Sequence, residues 1–448
     1  MTFPALNPSS TAPAETKGRL KFIVVGASIA ASGHSVLVLE ESQIGGGPDS
    51  INGAARVPPN GFKILSAWGL ETEIRDNAVV GDGHTVYKYD PKGKEGGRDY
   101  IGIGLWDPQL LVDARGAFLQ IRHKELLRIL YDKAVSPSSS SSKAIVTVLF
   151  DSEVTSIECE GEKCSVTLRT GETHEADGII GADGASGFVR RWLMDENADA
   201  SEGTVDVEGD AETDGAEGGI VAYMTAIPKS VASEHEVLKE LYQHPQRSMV
   251  ATWLGDRRGA KGKDRDVLLW LYAPDENICC SDSWTRPAEN HIKEVMGTCD
   301  IMLQSLAEQA GASTCVRIRK HVELKSWVSK SGRVLAVGDA AHAFPPMSLH
   351  SCSVAIEDGA FIGRLFSHTQ DVARIPEFFH AFEDCRKPRA SYILQAEHKN
   401  IAFICMPDGP KQVERDASLR ANHAAGRSVL DAPRDEDMHK IWEDLSVV

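Results

Sequence analysis

Two short apolar runs near the start of the chain stand almost against one another. Lys21–Val25 (KFIVV) and Ser35–Glu40 (SVLVLE) each read as a buried strand, and only residues 26–34, nine in all, lie between them. Parallel pairing of the two makes the fold α/β. A crossover between parallel neighbours ordinarily takes about 10–12 residues including its helix. The gap here leaves room for about two turns of helix at most, and the flanking strands are expected to be strained, slipped or less well packed.

The residues in the gap carry a pattern of their own. Gly26-Ala-Ser28-Ile-Ala-Ala31 has a glycine where a dinucleotide fingerprint needs its tight turn and an alanine allowed at its third position. Ser28 stands where the second glycine would let the backbone approach a pyrophosphate at a helix N-terminus. Glu40 ends the next strand, where an acid accepts hydrogen bonds from ribose hydroxyls. It follows Gly26 by 14 positions (40 − 26), against roughly 20 in the usual fingerprint. Alone, the segment reads equally as an ordinary strand–turn–strand.

Two further motifs have the same shape, a buried strand delivering glycine and aspartate to a turn before a helix. One is Asp177-Gly-Ile-Ile-Gly-Ala-Asp183-Gly184, running into ASGFVRRWL; the other is Gly338-Asp339-Ala-Ala-His342-Ala-Phe-Pro345-Pro346, after the strand Arg333–Val337. The first is also compatible with a plain Asp-Gly turn. In the second, Asp339 can accept a hydroxyl from a sugar-like chain, and the prolines shape an extended loop before the helix that runs through Phe366.

Composition narrows the function. The 448 residues carry a net charge of −17, which disfavours a nucleic-acid binder relying on a basic face. No apolar run approaches the ~18 residues of a membrane span, and residues 1–20 lack the apolar core of a secretory signal. Nine cysteines, an odd number without a CxxC pair, read as reduced thiols in an intracellular, cytoplasmic protein. They form no ligand cluster with the histidines, so no metal is expected. Amphipathic helices are expected over Asn60–Trp68, His123–Ala134 and near Glu289–Leu306, a flexible serine stretch at Ser136–Ser142, and a solvated acidic segment at Asp195–Gly218.

Taken together, VVGASIA…VLE, GADG…VRRWL and GRVLAVGDAAHAFPP…AIEDGA resemble the flavin-dependent aromatic monooxygenases of the salicylate and p-hydroxybenzoate hydroxylase group, in particular their fungal salicylate-hydroxylase-like members. The resemblance runs from Lys21 to about Arg389, and the GDAAH string is its most specific part. It implies an α/β fold with a discontinuous Rossmann-like FAD-binding domain (18–190 and 320–368), an acidic flexible insertion (191–218), a β-rich substrate domain (219–319) and a helical C-terminal region (369–448). It implies FAD as cofactor and NAD(P)H as reductant, with one oxygen atom of O₂ transferred to a small aromatic substrate, a phenol, in secondary metabolism. Two other readings stay open: a flavin oxidoreductase without oxygen insertion, and a family-derived chain that no longer binds FAD. NADH against NADPH, the substrate and the oligomeric state also stay open.

Carried over residue by residue, Glu40 resembles the ribose ligand of FAD, and Gly26 and Ser28 belong to its phosphate turn. Gly53 matches a backbone position beside FAD, and Arg122 an arginine reaching its pyrophosphate side. Asp183 belongs to a motif used for FAD and NAD(P)H, Asp339 resembles the ribityl ligand, and Cys352 matches a backbone position near the flavin ring. Arg190 and Tyr223 match an Arg–Tyr pair with catalytic roles in some fungal members. The chain departs from the family in four places, one of them the stretch LGDRRGAKGKDRDVLLWLY, which lacks the familiar substrate-domain pattern. About nine residues of the first crossover are missing between Ala30 and Ala31, in line with the short gap. His350-Ser351 stands where a Gln-Gly pair is common, and Gly187 where a serine is.

Overall fold

The structure, a computed structural model, describes residues 20–26, 34–42, 53–81, 83–90, 93, 98–106, 108–135, 145–197, 220–239, 248–249, 252–253, 267–274, 292–311, 313–318, 321–406 and 408–427. At its centre is a five-stranded, wholly parallel sheet. The strand order is Val334–Ala336, Gly178–Ala182, Lys21–Gly26, Ser35–Leu39 and Ile145–Leu149. The fold is α/β, as expected.

The two strands flanking the short gap are neither slipped nor poorly packed. They pair in continuous parallel register from Lys21↔Ser35 to Val25↔Leu39. Phe22, Val24, Val36, Val38 and Leu39 are buried in the main core. Residues 27–33, on which the expected stub of helix and Ser28 fall, lie outside the described residues. Good strand packing has a visible cause: helices from the far end of the chain cover this face. Phe22 meets Phe366 edge-on at 4.9 Å, and the His34 ring binds the Phe366 carbonyl at 2.7 Å. Phe379 and Phe382 of the helix Ile375–Ile404 complete the layer. These helices cover the Phe22 side of the sheet.

A second, antiparallel sheet of four strands, in the order Thr252–Trp253, Val267–Pro274, Ile220–Ile227 and Ser313–Ile318, lies beyond residue 219, where a β-rich segment was expected. Its outer face packs on Ile292–Met296 and Ile301–Gln309. These replace the single helix expected near Glu289–Leu306. Gly297 at φ +54° ends the first, and the Asp300 side chain caps the second by accepting the Met302 amide at 2.8 Å. A small sheet, Ala54–Val57, Leu119–Arg122 and Ala78–Val80, bridges the two large ones.

Two further expectations are corrected. The helix Phe188–Asn197 runs past residue 191, so the polar segment begins later than the sequence suggests; residues 198–219 lie outside the described residues. The thiols are not all reduced. Cys159 and Cys164 face each other across the hairpin of Val154–Glu160 and Lys163–Leu168 and form a disulfide, their Cα atoms 4.1 Å apart. Spacing along the chain gave no sign of this, because cross-strand register brings the pair together. Among the described residues no helix is long and apolar enough to cross a membrane.

Candidate functional site

The strand order lines up four of the sequence-predicted positions. Asp339, Asp183, Gly26 and Glu40 sit at or just past the carboxyl ends of four neighbouring parallel strands. Ligands of open α/β sheets bind along this edge. The side-chain carboxylate of Glu40 is held by the Ser42 amide at 3.0 Å and the Ser42 hydroxyl at 2.9 Å, which fixes its direction at the rim.

Asp183 begins a turn built on Gly184, at φ +82°, and caps the helix Phe188–Asn197 by accepting the Val189 amide at 2.8 Å. Its other oxygen, Oδ1, is buried without a partner. Burial is the largest influence on this carboxyl and pushes its pKa up to about 6. The Gly187 departure is explained here. A Cβ on Gly187 would lie 2.2 Å from Asp183 Cγ, so no serine fits with the aspartate in this position.

The Gly338 turn is held from below. Gly338 adopts φ +58°, and its amide donates to Asp358 Oδ2 at 2.9 Å. The same oxygen binds His342 Nε2 at 2.6 Å, and Asp358 Oδ1 accepts from Arg386 Nε at 2.7 Å. Burial works against ionising Asp358, but His342 and Arg386 outweigh it and hold the carboxyl below its ordinary range. Glu357 extends the network to Arg386, Arg389 and Asn60. Sequence reading assigned no role to Asp358, Glu357 or Arg386, although AIEDGA was part of the resemblance and its extent reached Arg389.

Asp339 itself is exposed between buried Gly338 and Ala340. Surrounding protein nevertheless desolvates it enough to raise its carboxyl above the usual value. The Asp339 carboxylate is thus reachable from solvent at the carboxyl end of its strand. Cys352, in the first turn of the helix Ser351–Phe366, is partly exposed in the same way. Burial first, and then Asp339, push its thiol up to about 12.

Gly53 and Arg122 meet on the small sheet. Ala54 pairs with Arg122, and the Gly53 carbonyl accepts the His123 amide at 2.8 Å. A Cβ on Gly53 would come within 2.3 Å of the tip of the Met224 side chain, which would have to shift to admit it.

Arg190 and Tyr223 are not brought together. The Arg190 guanidinium is buried and donates to the carbonyls of Ala340, at 2.9 Å, and Val322. It clamps the turn that carries Asp339. Tyr223 is wholly buried in the outer core of the antiparallel sheet with Leu269, Leu271 and Cys315.

The described residues fit a dinucleotide cofactor. They supply an orphaned buried carboxylate oxygen on Asp183, an accessible acid on Asp339 and an oriented acid on Glu40, along one sheet edge. Comparison with known proteins agrees. The family described as FAD binding domain matches residues 51–397. The FAD-dependent monooxygenase OpS4 of Beauveria bassiana is 23% identical over 89% of this chain and 89% of its own length. Hispidin-3-hydroxylase of Neonothopanus nambi is 24% identical over 86% of this chain and 89% of its own. In structure, Klebsiella pneumoniae HpxO, solved with FAD and uric acid, superposes with a TM-score of 0.62 at 16% identity, covering 95% of this chain and 96% of that one.

Proposed function

The chain belongs to the FAD binding domain family, and from that premise we propose that it is an FAD-dependent monooxygenase that uses NAD(P)H and O₂ to hydroxylate a small aromatic substrate. The observation that carries this reading is the row Asp339, Asp183, Gly26 and Glu40 on one edge of the parallel sheet. When bound, FAD would carry electrons from NAD(P)H to O₂, one atom of which enters the ring. The work left to the chain is to bind, orient and exclude water.

In this reading Asp339 and Asp183 accept hydrogen bonds from hydroxyls of the cofactor's chain, and Glu40 accepts from its ribose. Gly53 and Cys352 present backbone to it, and Arg122 offers charge on the phosphate side. Burial keeps the Cys352 thiol protonated at neutral pH, which disfavours it as a nucleophile toward the ring.

Purified protein is expected to be yellow and to release all its FAD on denaturation with guanidinium. Asp339→Ala is expected to weaken FAD retention by about 10- to 100-fold, the worth of a charge-assisted hydrogen bond. Colourless protein that takes up no added FAD contradicts the reading, and unchanged retention in the variant removes Asp339 from the site.

A further inference from the structure

The helix Pro59–Ala67 carries a cavity on the side turned away from the helix Ser351–Phe366. Gly61 faces that second helix: a Cβ on it would lie 2.9 Å from Ser353 Cβ. At about 100° per residue, Lys63 turns to the opposite side and Ser66 to a flank. There they line a cavity of about 310 Å³ together with Phe62, Arg75 of the helix Glu71–Asn77, and the turn Arg115-Gly116 after the helix Pro108–Asp113. The volume lies at the lower end of the range for small-molecule sites. Its lining shares no residue with the row Asp339, Asp183, Gly26 and Glu40. In a chain of net charge −17 it gathers three basic side chains around one acid, Glu71.

Three polar groups of this lining have donors to spare. Ser66 Oγ is buried without a hydrogen-bond partner among the described residues, and does not bond back to the carbonyl one turn earlier as a serine inside a helix often does. The Arg75 guanidinium carbon lies 4.6 Å from the centre of the Phe62 ring, and its Nε donates to Glu71 at 2.9 Å. Its outer edge of two terminal nitrogens stays open among the described residues. Arg115 is held in a conformation that arginine rarely adopts, with φ at +51°. Its amide donates to the Val112 carbonyl at 3.0 Å, and the Gly116 amide to the Leu111 carbonyl at 3.2 Å. These are the paired bonds of a helix end whose left-handed residue is ordinarily glycine. Gly116 fixes the turn against the start of the first helix, since a Cβ on it would come within 2.6 Å of Pro59 Cα. The Arg115 guanidinium makes no hydrogen bond or ion pair among the described residues, and the nearby Asp113 accepts from Gln109 at 2.8 Å. A strained residue that brings unused donors to a cavity points to a ligand there.

We propose that this cavity is a second binding site, for a phosphate dianion, free or carried by a small organic molecule. Two guanidinium edges and a hydroxyl offer more donors than one carboxylate can accept, and they match a phosphate with three free oxygens. Phe62 backs Arg75, and the left-handed turn sets Arg115 at the rim. The proposal stands apart from the hydroxylase reading.

The test is isothermal titration calorimetry of the full chain in a phosphate-free buffer at pH 7.5, with and without saturating FAD. Three pairs of probes are compared: inorganic phosphate against chloride, ribose 5-phosphate against ribose, and adenosine 2′-phosphate against adenosine. Wild-type protein is expected to bind the phosphate-bearing member of at least one pair about 10- to 100-fold more tightly, the range of charge-assisted contacts, whether or not FAD is present. The pair that shows it tells a free anion from a sugar phosphate and from a nucleotide 2′-phosphate. Arg115→Gly is expected to fold, because glycine is at ease at that φ, and to lose the preference by about 10-fold or more. Arg75→Gln is expected to lose part of it. Wild-type protein without a preference in any pair overturns the proposal. So does a preference that FAD abolishes, which would place the phosphate on the cofactor edge, or one that survives when Arg115→Gly and Arg75→Gln are combined.

Discussion

Asp358 binds the His342 ring at 2.6 Å with the same oxygen that takes the Gly338 amide at 2.9 Å. One buried carboxylate thus sets both ends of the turn that presents Asp339. Its other oxygen answers Arg386, itself buried. Asp358→Ala removes the partner of a buried cation, and such losses cost about 3–5 kcal/mol. Chemical denaturation is expected to show a loss of that order, with weaker FAD retention at the same time. A denaturation midpoint equal to wild type would show that Glu357 alone compensates Arg386.

Arg190 gives the second test. Its fork is spent on the Ala340 carbonyl of the turn and the Val322 carbonyl of a distant loop, so Arg190→Ala is expected to lower FAD content and product in parallel. If the variant keeps its FAD and loses only product, Arg190 acts at the ring as the family resemblance implied.

The sequence showed where the cofactor edge lies but not what holds it. Gly26, Asp183 and Asp339 were legible because each ends an apolar strand with a turn-forming residue, a local signal. Asp358 and Arg386 were not, because they are 28 positions apart and meet only when two helices pack. Arg190 was visible as a charge near a helix start, but its burial depends on the distant loop at Val322. Tyr223 was visible as a strand aromatic; its face depends on register with Leu271 and Cys315.

Asp183 carries a pH signature. Its carboxyl titrates near 6 in the folded protein, above its ordinary value of 3.8. Between those values the folded state holds a proton that the unfolded state has lost, so this group's contribution to stability is full below 3.8 and falls as pH rises through about 6. Asp183→Asn is expected to remove that loss. The variant should melt higher than wild type at pH 7.5, with the gap closing toward pH 4. A constant difference across that range would mean the carboxyl is not perturbed.

The short crossover gives a prediction with two separable readouts. Because Lys21–Gly26 and Ser35–Leu39 already pair in regular register against the helices Ser351–Phe366 and Ile375–Ile404, adding about nine helix-forming residues after Ala30 is expected to change the melting temperature little. The added residues give room for a complete helical first turn and a return loop, so that its N-terminal amides can face the pyrophosphate, and FAD affinity is expected to rise by about 10-fold. Equal FAD affinity in the two chains would show that nine residues, 26–34, suffice.

The central claim is that this chain inserts oxygen into an aromatic ring. The most direct measurement supplies purified protein with FAD, NAD(P)H and ¹⁸O₂, offers the aromatic acid or phenol that binds best, and weighs the product. The account predicts a product that has gained one ¹⁸O atom, with none from water. A product oxidised without ¹⁸O, or ¹⁸O recovered only as hydrogen peroxide while the ring is unchanged for every bound probe, would contradict it.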